Sequence, residues 1–147
     1  MTAIDQEQAL AIAQEIFTAL IDDGETTLAQ SGDPGAYDAA LHAYIDVQGE
    51  TPLRVTLTGH PDTATELARA LMMYGPAEDV PTEEVADAYG ELANVIGGNL
   101  KSLLPEGSHL GFPVVSGDPQ ATPPRAGFQL HVVWRERPLT LSIRPLP

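Results

Sequence analysis

The chain contains no cysteine, which excludes a disulfide scaffold, a thiol nucleophile, a zinc ribbon and an iron–sulfur cluster together. It also lacks any apolar run approaching the roughly 18 residues that a membrane span needs. The opening residues carry no Lys or Arg, no signal-peptide layout follows, and a cytoplasmic location is expected. Common nucleotide and hydrolase signatures are missing: there is no Gly-x-Gly-x-x-Gly, Walker A loop, Gly-x-Ser-x-Gly or His-Glu-x-x-His. The one lysine, Lys101, follows Leu100 rather than a P-loop glycine. His42, His60, His109 and His131 stand far apart in the chain, so no metal site is expected. Asp22-Asp23-Gly24-Glu25 lacks the alternating spacing of a calcium loop and reads as a solvated helix end.

Positive charge is scarce. Seven basic side chains against 21 acidic ones leave a net charge of −14, which repels phosphate backbones and anionic membranes alike. Neither nucleic acid nor membrane is expected as a partner. The imbalance is uneven: residues 1–50 hold ten acids and no base, whereas residues 101–147 hold three acids and five bases. The plain expectation is acids on solvent-facing helices and arginines along a sheet edge; an acidic docking face for a basic partner is the functional alternative. With 147 residues, 43% hydrophobic and 19% charged, the composition suits one folded domain over residues 1–147.

Ala9, Ile12, Ile16 and Leu20 recur at helical steps and predict a first helix over residues 3–20, with Thr2 as its cap. A polar connection over residues 22–40 follows. Residues 42–47 and 53–58, rich in Val, Thr, Tyr and Ile, predict a hairpin. Thr63-Ala-Thr-Glu66 has the form of a capping box and predicts a second helix over residues 63–74, stopped by Gly75-Pro76. A third helix is expected over residues 82–104, closed by Pro105, and strands over residues 110–115, 128–135 and 139–143. The order α-β-β-α-α-β-β-β implies an α+β fold with helices packed on an antiparallel sheet.

The third helix conflicts with local preference. Val85, Ala88, Leu92, Val95, Ile96 and Leu103 form an inward stripe, while Asp87, Glu91, Asn94, Gly98 and Lys101 line a polar face. Gly90, Asn94, Gly97, Gly98 and Asn99 are poor helix formers, each Gly costing about 1 kcal/mol relative to Ala. Asn94 and Asn99 are the only asparagines in the chain. Such a concentration is expected where a backbone is approached closely or a side chain must work. Tight packing on the sheet accounts for Gly97 and Gly98, but not for a polar Glu91 and Asn94.

Asp87-x-x-x-Glu91-x-x-Asn94 resembles the active-site pattern of the CheC/CheX/FliY chemotaxis phosphatases, and Gly90-Glu-Leu-Ala-Asn-Val-Ile-Gly-Gly98 is similar to the same helix in CheX proteins. Leu110-Gly-Phe-Pro-Val-Val-Ser-Gly117 resembles the strand and turn after that helix. Residues 67–75, with Met72-Met73 and Gly75, resemble the helix before it. The likeness is strong over residues 53–117 and weak over residues 1–40. Some members carry two such motifs. With asparagine only at 94 and 99, the earlier helices cannot supply a second one, and a single site as in CheX is implied.

The resemblance implies a CheC-like sandwich, a homodimer, and hydrolysis of the aspartyl phosphate of a CheY-type response regulator. Asn94 would position the attacking water and Glu91 would pair with the regulator's active-site lysine, with Asp87 and Gly98 in support. Mg²⁺ would belong to the partner's site, and this chain would bind no cofactor or metal. The alternatives are a non-catalytic module that binds a phosphorylated regulator, and a scaffold related to flagellar-switch proteins with a vestigial motif.

Overall fold

The computed structural model describes residues 4–25, 27–32, 37–118 and 126–146. Helix α1 (Gln6–Leu20) opens on a reciprocal cap: Gln8 N–H donates to the Asp5 carboxylate at 2.8 Å, and Asp5 N–H donates to the Gln8 side chain at 3.0 Å. Thr2, the expected cap, lies outside the described residues. Strands β1 (Leu28–Gln30), β2 (Leu41–Gln48) and β3 (Leu53–Gly59) follow, then helices α2 (Pro61–Leu71) and α3 (Thr82–Lys101). Strands β4 (His109–Leu110), β5 (Val114–Ser116), β6 (Phe128–Trp134) and β7 (Arg137–Pro145) complete the order. The expected succession of elements is present, with β1 added inside the 22–40 connection. The strand expected over residues 110–115 divides around Phe112 into β4 and β5, where Pro113 has no N–H to give to a ladder.

The strands form one antiparallel sheet in the order β1-β6-β7-β3-β2-β4, with β5 also pairing β2. Inward positions are apolar and buried: Ala43, Ile45 and Val47 on β2, Val55 and Leu57 on β3, Leu139, Leu141 and Ile143 on β7. The helices cover this face. The other face carries His42, Asp46, Arg54, Thr56, Thr58, Thr140 and Ser142; it is polar, and Thr56, Thr140 and Ser142 on the central strands are buried there. Arginines were expected along a sheet edge. Arg54 and Arg144 instead stand opposite each other on the central strands β3 and β7, and Arg69 lies on α2. Arg54 is accommodated there by a bidentate pair with Asp46, at 2.7 and 3.0 Å, and by the Tyr44 ring beneath its guanidinium at 4.3 Å.

Two local expectations are corrected. Helix α2 starts at Pro61 rather than Thr63: His60 caps it, its Nδ1 accepting from Asp62 N–H at 3.1 Å, and Thr63 is buried instead of capping. Proline at the first position has its φ preset for the helix, which outweighs the Thr-x-x-Glu pattern. The helix ends at Leu71, ahead of Gly75-Pro76, because Met73 turns to φ +60°.

Asp22 is not a solvated helix end but a buried anchor. Arg135 and Glu136 turn the β6–β7 hairpin with φ of +49° and +66°, both left-handed as a tight two-residue turn requires. That turn brings Arg135 over the Trp134 ring at 4.7 Å and within 2.9 Å of Asp22 Oδ1. Trp134 Nε1–H donates to the same oxygen at 3.0 Å, and the Thr27 hydroxyl donates to the other. Trp134 itself is fully buried edge-on to Phe17, so α1, its following loop and the far hairpin are tied at one point.

Helix α3 is seated by Tyr89 and Gly97. The buried Tyr89 hydroxyl shares its one proton between the Leu41 and Leu57 carbonyls, at 3.0 and 3.1 Å, and burial raises its pKa well above the ordinary phenol value, so it remains a donor. A β-carbon at Gly97 would lie 2.6 Å from Ile45 Cγ2 and 3.3 Å from Leu110 Cδ1. Ile45 is β-branched and stiff in its strand, so it cannot give way cheaply.

Gly97→Ala is therefore expected to destabilise the protein by about 1–3 kcal/mol through overpacking. Asp22→Ala should cost about 2–3 kcal/mol, because it leaves a buried indole N–H without its acceptor. Urea unfolding of the two variants checks both, and a native midpoint in either would contradict the corresponding contact.

Candidate active site

The polar stripe of α3 points away from the sheet. Asp87 and Glu91 are exposed, and Asn94, Gly98 and Lys101 are half-buried along the same face. The inward side is built by Val85, Ala88, Tyr89, Leu92, Ala93, Ile96 and Leu100, all buried. The expected stripe therefore holds at its centre, while Val95 and Leu103 are only partly buried. Glu83 and Glu84 occupy the first turn, where negative charge meets the positive end of the helix dipole, and Lys101 occupies the last turn.

Of the four residues singled out in the sequence, the structure joins two directly. Asn94 Nδ2 donates to Glu91 Oε1 at 3.0 Å across one turn. A carboxylate only accepts, so its partner must be the amide nitrogen, and this bond leaves the Asn94 carbonyl oxygen as an acceptor. The second Glu91 oxygen takes no part in this bond. Asp87 and Gly98 share the face by helical spacing, one turn to either side.

One flank of the site comes from β4, β5 and the link between them. Pro113 Cβ and Val115 Cγ2 lie 3.5 and 3.4 Å from where a β-carbon at Gly90 would sit, and Leu110 Cδ2 lies 3.7 Å from that position at Gly98. Gly97 thus serves close approach, whereas Gly90 and Gly98 have ordinary room. On the other flank α1 packs near Val95 and Asn99 through Glu15, Ile16 and Leu20. Among the described residues, no group of three or more His, Asp or Glu could hold a metal ion, and no helix is long and apolar enough to cross a membrane.

A family model described as chemotaxis phosphatase CheX matches residues 41–131, the stretch from β2 through α3 into β6. The chain belongs to the CheX family. A crystal structure of CheX from Vibrio vulnificus shares the fold with a TM-score of 0.75 at 18% identity, covering 99% of each chain. CheX from Borrelia burgdorferi, solved as a complex with CheY, BeF₃ and Mg²⁺, gives 0.71 at 18% identity over 98% of this chain and 99% of its own. A CheC-like superfamily protein from a Shewanella species gives 0.64 at 16% identity over 95% of each. A search of curated proteins returns no match by sequence. The fold is that of CheX and CheC-like proteins, α+β with helices on an antiparallel sheet.

Sequence reasoning missed two features of the elements around this site. Tyr89, which bolts α3 to β2 and β3, was left out of the inward stripe, because its partners are the backbone carbonyls of Leu41 and Leu57, which no sequence pattern marks. Phe112 was read as part of a strand, although the Gly111-Phe112-Pro113 order argued against continuous pairing.

Because Gly98 has room for a methyl group, Gly98→Ala should raise stability by up to about 1 kcal/mol through helix propensity. A lowered urea midpoint would contradict the 3.7 Å clearance to Leu110.

Proposed function

We propose that the chain hydrolyses the aspartyl phosphate of a CheY-type response regulator, using the Glu91–Asn94 face as its single site. The observation that carries this reading is the bond from Asn94 Nδ2 to Glu91 Oε1, on a polar face of a helix that belongs to a phosphatase family. It is further supported by the Borrelia relative, which was captured with CheY, Mg²⁺ and BeF₃, a fluoride mimic of a phosphoryl group.

In this mechanism Asn94 Oδ1 accepts a hydrogen bond from water and leaves the water lone pair directed at phosphorus. The water oxygen forms the new bond to phosphorus while the bond to the regulator's aspartate oxygen breaks. The products are inorganic phosphate, the free carboxylate and a proton released to solvent. Asn94 transfers no proton, and its contribution is orientation, which suits a loose phosphoryl-transfer transition state. Glu91 acts with both oxygens: one fixes the Asn94 amide, and the other pairs with the regulator's lysine. Asp87 and Gly98 support the docked register. The Mg²⁺ belongs to the regulator's site, and this chain holds no cofactor or metal of its own. The resemblance further supports a single CheX-like domain that works in the cytoplasm as a homodimer.

Phosphate release from a phosphorylated CheY-type regulator in the presence of Mg²⁺ tests the reading. Asn94→Ala should slow the native reaction roughly 10²- to 10³-fold, in line with other single positioning groups. Glu91→Ala should lose both turnover and affinity. An unchanged rate in Asn94→Ala would sink the assignment, and binding by the native chain without turnover would leave a non-catalytic binding module.

A further inference from the structure

Beside the Glu91–Asn94 face, one aromatic side chain stands almost wholly in solvent. Phe112 is 91% exposed, in a chain whose aromatic content is 5% and whose Phe17, Tyr89 and Trp134 are all buried. The fold draws no stability from it there.

Its position is nevertheless closely held. Leu110, ahead of it, packs on Gly97 and Gly98, and Pro113, after it, packs on Gly90. Gly90 and Gly98 stand one helical turn to either side of Asn94, so the link carrying Phe112 runs alongside the Asn94 turn. Gly111 N–H donates to the Asp46 carbonyl at 2.8 Å and pins the link to β2. Pro113 restricts the backbone directly after the phenyl group. Aromatic side chains, Phe among them, are enriched at protein interfaces relative to the rest of the surface.

We infer that Phe112 is an apolar anchor for the phosphorylated receiver domain that the Glu91–Asn94 face serves. The inference rests on the phosphatase reading. Asp87 and Glu91 lie exposed on the adjoining stripe of α3, so the face suits a surface that offers a cation next to apolar area. A second copy fits less well: each copy carries a net charge of −14, and a copy seated on Phe112 would overhang Asn94 and close the site.

The test combines binding and turnover with the full chain. Calorimetric titration uses a receiver domain loaded with BeF₃ and Mg²⁺, and phosphate release uses the phosphorylated form. Phe112→Ala should raise Kd and KM about ten-fold or more, with kcat unchanged, as expected when a dominant interface side chain is truncated. Phe112→Leu should recover much of the affinity, and Asn94→Ala should show the opposite split, a fall in kcat with KM retained. Circular dichroism of Phe112→Ala should be native, since the ring packs on little of its own chain. A native chain that turns over a receiver while Phe112→Ala keeps its Kd and KM overturns the anchor and leaves the phosphatase reading standing. A native chain that neither binds nor dephosphorylates any receiver overturns both. Loss of self-association in Phe112→Ala would assign the face to a second copy and overturn the anchor.

Discussion

The height of α3 above the sheet depends on the absence of one β-carbon. Ile45 Cγ2 occupies the space beside Gly97, and any side chain there would have to push the helix away from β2. The Tyr89 hydroxyl, bonded to the carbonyls of Leu41 and Leu57, fixes the helix at the same depth one strand over. Pro113 and Val115 rest in ordinary contact beside Gly90, and the β4–β5 segment lies along one side of the helix. With its inner and lateral sides committed, α3 can present to solvent only the stripe that carries Asp87, Glu91 and Asn94. The placement of the site is therefore a packing result before it is a chemical one.

That placement has a local cost, and the structure shows what offsets it. Three glycines and two asparagines weaken the helix in isolation, each glycine by about 1 kcal/mol relative to alanine. Burial of Leu92, Ile96 and Leu100 against the sheet holds the backbone that propensity alone would not. Asn99 adds a bond from its side-chain nitrogen to the Val95 carbonyl at 2.8 Å, one turn back. Asn94 is the asparagine whose amide bonds another side chain instead, and it does so on the exposed face. A residue that gives up helix propensity without serving the backbone is where a working side chain is expected.

Much of this was legible in the sequence, for identifiable reasons. Helical periodicity located α1 and α3, β-branched and aromatic content located the β2–β3 hairpin, alternation located strands β6 and β7, and the Glu91 to Asn94 spacing put both groups on one face. Where a single property is read twice, the sequence is ambiguous. Thr63 to Glu66 satisfied a capping pattern, yet Pro61 starts the helix earlier because its ring presets φ. Asp22 sat in an acidic run and read as solvated, because its partners Trp134 and Arg135 are more than a hundred residues away and no local pattern announces them. Strand β1 is too short for alternation to register. The glycines of α3 could be read as packing or as function, and only coordinates separate Gly97, wedged on Ile45, from Gly98, which has room.

The most direct measurement is a crystal structure of this chain with a CheY-type receiver domain carrying BeF₃ and Mg²⁺. The expected result places the Asn94 carbonyl oxygen within hydrogen-bond reach of a water in line with the beryllium, at about 3 Å, with Glu91 paired to the receiver's lysine. A complex in which the receiver sits on another face, and Asn94 remains in open solvent, would contradict the assignment of the site.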